Sequence, residues 1–241
     1  CQFLIDLHCH LLPGVDDGAV DDADSIALFK LAIDDGISHM VLTPHVHPGR
    51  YENTKRNLEA PFRRLERLIS ENQLNISLSV AGEVRLCSEV LSLFSTDDLP
   101  FIGKYQGKNV ILLEFPHEGI PPGSDKLVDW LMQRNILPMI AHPERNKAII
   151  RDIKKAGPFI ERGCLFQLTA MSITRKFGEN PHNIAHQFLS NRWANIVASD
   201  AHNIKHRPPI LSEAYQTITE QYGEAMAREL LVDTPAMLIG Q

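Results

Sequence analysis

Residues 137–145 read Leu137-Pro138-Met139-Ile140-Ala141-His142-Pro143-Glu144-Arg145, an apolar run that ends without a spacer in an imidazole, a carboxylate and a guanidinium. A short continuous apolar run reads as a strand buried on both faces, as parallel strands are. The polar residues then fall at the strand's carboxyl end, where parallel α/β folds build their sites.

Working outward, the same kind of run recurs at Phe3–Leu7, His39–Thr43, Ile76–Ala81, Val110–Leu113, Cys164–Leu168 and Ala194–Ala198. Longer amphipathic stretches separate them: 21–35, 53–71, 124–135, 149–162 and 181–190. In the second of these, Leu58, Phe62, Leu65 and Ile69 recur at helical spacing. Gly36 and Gly163 follow two of the stretches as helix stops. Two further helical stretches, 209–222 and 223–232, come after the last strand. Strand and helix alternating in this way predict a parallel α/β sheet, and periodicity alone leaves open whether it closes into a barrel.

The other runs end as the first does. They deliver His8 and His10, Thr43-Pro44-His45, Gly82-Glu83, Glu114, and Ser199-Asp200-Ala201-His202. Six of the seven runs therefore end in His, Asp or Glu. Imidazole and carboxylate suit borderline divalent metals, and carboxylate can bridge two ions. Residues two apart in extended chain share a face, so His8 and His10 can reach one ion with Cys9 turned away, and Asp200 and His202 likewise. The loop 11–18 is turn-rich and can fold an acidic side chain, Asp16 or Asp17, back over the mouth. Each piece alone has an ordinary explanation: a surface His pair, a loop glutamate, an Asp-Asp-Gly turn. Their joint placement at successive strand ends favours a metal site. His39, His117, His182, His186 and His206 lack that placement and read as surface, helix or loop residues, with His206 the one expected near the site. Arg145 and Arg207 follow His142 and His202 closely; guanidinium beside a metal cluster can fork onto phosphate, or simply pair with ligand carboxylates. Arg50 and Tyr51, after Pro48-Gly49, read as part of a substrate lip.

The bulk properties set bounds. With 241 residues, 44% hydrophobic and 22% charged, the chain suits one α/β domain over 1–241. A net charge of -6 speaks against nucleic acid as the main partner. No run approaches a membrane span, and Asp6 and His8 interrupt anything like a signal peptide. Cys1, Cys9, Cys87 and Cys164 are scattered, which fits a reducing, cytoplasmic setting rather than a disulfide scaffold.

These motifs resemble the PHP (polymerase and histidinol phosphatase) superfamily, and more closely its bacterial protein-tyrosine phosphatase branch. The resemblance rests on the opening 6–18, Thr43-Pro44-His45, Gly82-Glu83, Leu113-Glu114-Phe115, Ala141 to Arg145, Ser199 to His202 and Arg207-Pro208-Pro209, in order over almost the whole chain. It implies a distorted (β/α)7, TIM-like barrel with about three divalent ions, manganese before Fe, Zn, Co or Mg. Carried over by position, the ligands are His8, His10, Asp17, His45, Glu83, Glu114, His142, Asp200 and His202, with Arg145 and Arg207 beside the phosphate. Asp16 is the alternative to Asp17. The implied substrate is phosphotyrosine on the tail of a bacterial tyrosine kinase that controls capsule or exopolysaccharide export.

The implied chemistry is attack by water activated on metal, without a covalent phosphoenzyme. Cysteine-dependent tyrosine phosphatases need Cys-x5-Arg. The residues six beyond the four cysteines are Leu7, Val15, Leu93 and Ala170, none of them arginine. No GxSxG elbow occurs, and 103–109 only faintly suggests a phosphate loop. Rival readings are a small-molecule phosphoesterase such as histidinol phosphatase, an amidohydrolase-like enzyme acting on C–N bonds, and a non-catalytic barrel that keeps its metals as scaffold.

Overall fold

The computed structural model describes residues 3–241; Cys1 lies outside the described residues. Its strands are β1 (Leu4–Cys9), β2 (Ile37–Leu42), β3 (His45–His47), β4 (Tyr51–Glu52), β5 (Ser77–Val80), β6 (Glu83–Arg85), β7 (Gly103–Tyr105), β8 (Lys108–Glu114), β9 (Ile136–Ala141), β10 (Leu165–Thr169) and β11 (Ile196–Ala198). All seven apolar runs are strands, shifted by a few residues at their ends. Phe3 is the exception within the first run: it stands before β1 and is 66% exposed.

Pairing follows the sequence order, β1-β2-β5 in one sheet and β11-β10-β9-β8-β6-β3-β4 in the other. The pairs along this path are parallel apart from β3–β4. The two sheets are one path broken twice. β2 passes into β3 through Thr43-Pro44, and β5 into β6 through Ala81-Gly82. Pro44 has no N–H to give a ladder. At Gly82 a Cβ would lie 2.5 Å from Val46 Cγ2 and 2.7 Å from Pro100 Cγ, so any larger residue would have to displace them. Pairing is carried across the breaks by Ala81 N–H donating to Leu42 O (2.8 Å) and Glu83 N–H to Pro44 O (3.0 Å).

The path then returns on itself as a distorted (β/α)7 ring. It does not close as a continuous ladder. Where β11 meets β1, Asp200 N–H donates to His8 O (2.8 Å) and His10 N–H to Ala201 O (2.7 Å), with a single bridge between Cys9 and Ala201.

Period-two alternation divides the core into two layers. Ile5, Leu7, Val41, Val110, Leu112, Leu137, Met139, Leu165 and Ile196 fill the interior, joined by Leu238 from the helix Thr234–Leu238. Ile111, Leu113, Ile140, Phe166, Leu168 and Val197 face outward against the helices. Phe166 meets Phe188 of the helix Glu179–Ser190 edge to face, 5.3 Å between centroids.

The helices largely occupy the expected stretches, and Gly36 (φ 99°) and Gly163 (φ 78°) end two of them as left-handed caps. Stretch 149–162 is a correction. It forms the short helices Lys147–Arg151 and Gly157–Glu161 with a 3-10 turn, Ile153–Ala156, between them. Asp152 breaks it by turning extended and accepting a hydrogen bond from Lys154 N–H at 3.1 Å. Segments 53–58 and 209–211 are irregular, so the second helix begins at Glu59 and the later one at Ser212. Residues 103–109 form the β7–β8 hairpin; Gln106 and Gly107 (φ 51° and 78°) make a two-residue turn, not a phosphate loop. Among the described residues, no helix is long and apolar enough to cross a membrane.

Candidate metal centre

The site continues the interior layer upward. Stepping two residues at a time from the core leads from Val41 through Thr43 to His45, from Ala81 to Glu83, from Leu112 to Glu114, from Leu165 to Gln167, and from Ile196 through Ala198 to Asp200. Pleat parity alone therefore aims these side chains at the barrel mouth. β1 breaks parity: a register shift between Asp6 and Cys9 leaves Leu7 in the interior core yet turns His8 inward too. Cys9 then packs in the outer layer, as expected, with its thiol toward Val41 O (3.5 Å). His142 and Asp200 adopt left-handed backbone (φ 31° and 51°) as their strands turn into loops.

The predicted residues come together. Three sets of donor atoms each fall within 4.8 Å of one another: His8, His10, Glu83 and Asp200; His10, Asp17, His45 and His202; and His45, Glu83 and Glu114. His142 joins the last set, its Nε2 2.9 Å from Glu83 Oε2 and 3.5 Å from Glu114 Oε2. Around the first set, the Nε2 atoms of His8 and His10 lie 3.0–3.2 Å from Asp200 Oδ1 and Glu83 Oε1. Donors each about 2.1 Å from one ion and at right angles to each other are separated by about 3.0 Å.

Two observations test whether this nest fits cations. Glu83 Oε1 and Asp200 Oδ1 are buried carboxylate oxygens that no N–H or O–H satisfies. Such atoms are costly unless a cation meets them. The imidazoles are also set to offer lone pairs. Gln167 Oε1 accepts from His142 N–H (3.2 Å), which fixes the amide's orientation, and so accepts from His8 Nδ1 at 2.7 Å. His202 Nδ1 donates to Asp200 O (2.8 Å), and His10 Nδ1 is held by Asp16 Oδ2 (2.7 Å). In each ring Nε2 is left facing the cluster, the arrangement that metal-binding histidines use. The donor set fits borderline divalent ions.

Without a cation the charges must settle among themselves. Burial would lower His8, but Glu83 and Asp200 override it and raise its pKa to about 10. His142 rises to about 9 against burial and Arg145, through its bonds to Glu114 and Glu83. Burial would raise Glu83 and Asp200, yet the surrounding cations hold both well below the carboxylate range. Protons on imidazole stand in for the missing positive charge.

Asp16 and Asp17 are separated by geometry. Asp17 Oδ1 points into the cluster, 3.3 Å from His45 Nε2 and 3.4 Å from His202 Nε2. Asp16 lies behind it, holding His10 and accepting from the backbone N–H groups of Gly18 (2.9 Å) and His45 (3.0 Å). Arg145 and Arg207 both line the cleft and both reach Asp200. Arg50 lines it too, stacked on Tyr51 at 5.2 Å, and Tyr51 stacks in turn on His45.

His117 is an exposed turn residue, as expected of a loop histidine, and it also lines the cleft. His206 is not among the lining residues. Arg85 was missed; its Nε reaches Glu114 Oε1 (3.2 Å), and its place two residues after Glu83 on β6 was the available signal. Gln167 was missed because an amide is not a ligand type. Asp6, which accepts from Ser199 N–H and Oγ and from His8 N–H, also lies behind the cluster. The cleft has a volume of about 200 Å³.

The family model for capsular polysaccharide synthesis, CpsB/CapC, matches residues 4–240. Among curated proteins, the tyrosine-protein phosphatase YwqE of Bacillus subtilis is 30% identical, covering 99% of this chain and 92% of that protein. The tyrosine-protein phosphatase CpsB of Streptococcus pneumoniae is 28% identical, covering 98% of each. A solved structure from work on YwqE and CpsB, described as metal-dependent tyrosine phosphatases, superposes with a TM-score of 0.85 at 30% identity, covering 97% of this chain and 90% of the other. The phosphotriesterase homology protein of Escherichia coli, at 11% identity and a TM-score of 0.55 over 98% of each chain, shares the fold.

Proposed function

The chain belongs to the CpsB/CapC capsular polysaccharide synthesis family, and from that premise we propose that it is a metal-dependent tyrosine-protein phosphatase. The observation that carries the reading is the pair of orphaned, buried oxygens, Glu83 Oε1 and Asp200 Oδ1, facing imidazole lone pairs at the barrel mouth. About three divalent ions, manganese first, would be held by His8, His10, Glu83 and Asp200; by His10, Asp17, His45 and His202; and by His45, Glu83, Glu114 and His142. When bound, such ions supply Lewis acidity toward phosphoryl oxygens and make water a competent nucleophile near neutral pH.

The chain's own residues do the rest. Arg145 and Arg207 are permanent cations at the cleft wall and can fork onto the non-bridging oxygens as charge builds in an in-line displacement. Asp16, Gln167 and the Asp200 carbonyl fix the imidazole tautomers, so the donors need no rearrangement. Among the described residues no thiol competes as nucleophile. Burial pushes Cys164 up to about 12, Cys87 up to about 11 and Cys9 well above its usual value, so the thiolate a phosphocysteine pathway needs is absent at neutral pH. The substrate is phosphotyrosine in a tyrosine-rich tail of a bacterial tyrosine kinase, met in the cytoplasm.

Turnover of a phosphotyrosyl peptide and of histidinol phosphate, each with manganese and after chelation, tests this. Metal-dependent preference for the peptide is expected; a strong preference for histidinol phosphate would move the chain to the small-molecule branch. Inactivity on p-nitrophenyl phosphate with Mn, Zn, Co and Fe would leave a binding barrel.

A further inference from the structure

A second cavity, about 520 Å³, opens beside the metal cleft and shares His117 and Arg145 with it. It lies between the short helix Lys147–Arg151, which follows β9, and residues 177–181, which follow β10 and open the helix Glu179–Ser190. Both walls stand at the carboxyl ends of the strands, on the same face as the cluster.

The metal cleft is too small to hold a peptide. Its 200 Å³ falls below the roughly 300 Å³ at which pockets begin to enclose small ligands. Residues flanking a phosphotyrosine must therefore lie elsewhere, and the adjoining groove shares the His117 and Arg145 wall with the cleft.

Its chemistry is one-sided. Arg145, Lys147 and Arg151 line it, and none of its lining residues is acidic, although the chain as a whole carries -6. Lys147 is engaged by Glu118 at 2.8 Å, whereas Arg151 is exposed and makes no ion pair among the described residues. Phe177, half-buried, forms the apolar floor, with the Arg145 guanidinium 4.9 Å from its ring centre.

We propose that this groove is a specificity subsite for the peptide flanking the phosphotyrosine, and that it selects acidic side chains through Arg151 and Lys147 while Phe177 supports an apolar or aromatic neighbour. This deepens the phosphatase reading and rests on it. A cationic rim beside a reaction centre raises the rate of encounter and the affinity for negatively charged partners in a salt-dependent way.

The test uses the intact chain with manganese and has two readouts. One is the binding, by fluorescence anisotropy, of labelled peptides that carry a non-hydrolysable phosphotyrosine mimic, flanked either by Asp and Glu or by Asn and Gln. The other is hydrolysis of p-nitrophenyl phosphate, which has no flanking residues. At low salt the acidic peptide is expected to bind about tenfold more tightly. Arg151→Glu should remove that preference and Arg151→Ala should reduce it, with p-nitrophenyl phosphate turnover within about twofold of the parent in both because neither touches the metal cleft. Equal binding of the two peptides, or a preference that survives Arg151→Glu, overturns the groove assignment. Failure of the parent chain to hydrolyse p-nitrophenyl phosphate overturns the phosphatase reading instead, and the binding difference still judges the groove.

Discussion

Arg145 and Arg207 converge on a single atom: Nη1 of the first and Nη2 of the second each lie 2.6 Å from Oδ2 of Asp200. The other oxygen, Oδ1, faces the Nε2 atoms of His8 and His10 at 3.1 and 3.0 Å. One carboxylate thus has two jobs. Oδ1 belongs to the cluster, while Oδ2 holds two like charges beside the space that a phosphate would fill.

Arg145→Ala is expected to cut kcat by about 10²–10³ while leaving the bound metal unchanged, because one charge-stabilising donor is lost and Asp200 keeps Arg207. Arg145→Lys should recover little, since an ammonium cannot reproduce the fork. Inductively coupled plasma analysis alongside kinetics checks both; metal loss in Arg145→Ala would make the residue structural.

Gly18→Ala should behave like His10→Ala, although Gly18 carries no donor. A Cβ at Gly18 would lie 2.0 Å from His10 O and 2.5 Å from His10 Cβ. His10 belongs to two of the three donor sets, so displacing it weakens both. Activity is expected to fall at least about 100-fold in each variant, with reduced metal content. A Gly18→Ala protein with full metal content would refute the close approach.

Asp17→Ala and Asp16→Ala should differ in kind. Removing Asp17 deletes a donor from the set it shares with His10, His45 and His202, so about one ion should be lost. Removing Asp16 leaves every donor in place but frees His10 Nδ1, so the full complement binds about 10–100-fold more weakly. Metal titration by calorimetry separates the two; identical stoichiometry and affinity would contradict the assignment.

Chelated protein should lose stability as pH rises. Without cations, His8 and His142 have folded pKa values of about 10 and about 9, above the roughly 6.5 of unfolded histidine. Their contribution is complete below about 6.5 and disappears as pH rises through those folded values. Glu83 and Asp200 run the other way. Their depressed pKa values stabilise above the unfolded carboxylate range, and that gain is lost only as pH falls through the lower folded values. The melting temperature of chelated protein should therefore drop between pH 7 and pH 10, and manganese should abolish the drop, because cations replace the protons. Parallel curves with and without metal would refute this.

Much of the site was legible because strand parity is periodic. His45, Glu83, Glu114 and Asp200 continue the interior alternation of their strands, so a run of apolar residues announces where its end points. His8 was legible only through its neighbour: the bulge in β1 breaks the period, and the His-x-His spacing still gave the shared face. Arg85 and Gln167 were not legible, since one pairs across strands with Glu114 and the other acts by hydrogen bonding to a ligand. Nor was the break at Asp152. Helical periodicity runs through it, and only the side-chain cap to Lys154 N–H reveals why the helix stops. The closing of the sheet depended on contacts between the first strand and the last, which no local pattern records.

That seam has a consequence for synthesis. Asp6 and Ser199 are 193 positions apart and bonded to each other, and His8 and His10 share their donor set with Asp200. A nascent chain emerging at about 5–20 residues per second would hold the amino-terminal imidazoles for some ten seconds or more before Asp200 arrives. Chains ending before residue 196 are accordingly expected to leave His8 and His10 without Asp200 as a partner. Loading of the set that joins His8 and His10 to Asp200 would then wait on late synthesis, whereas His45, Glu83 and Glu114 offer theirs well before it.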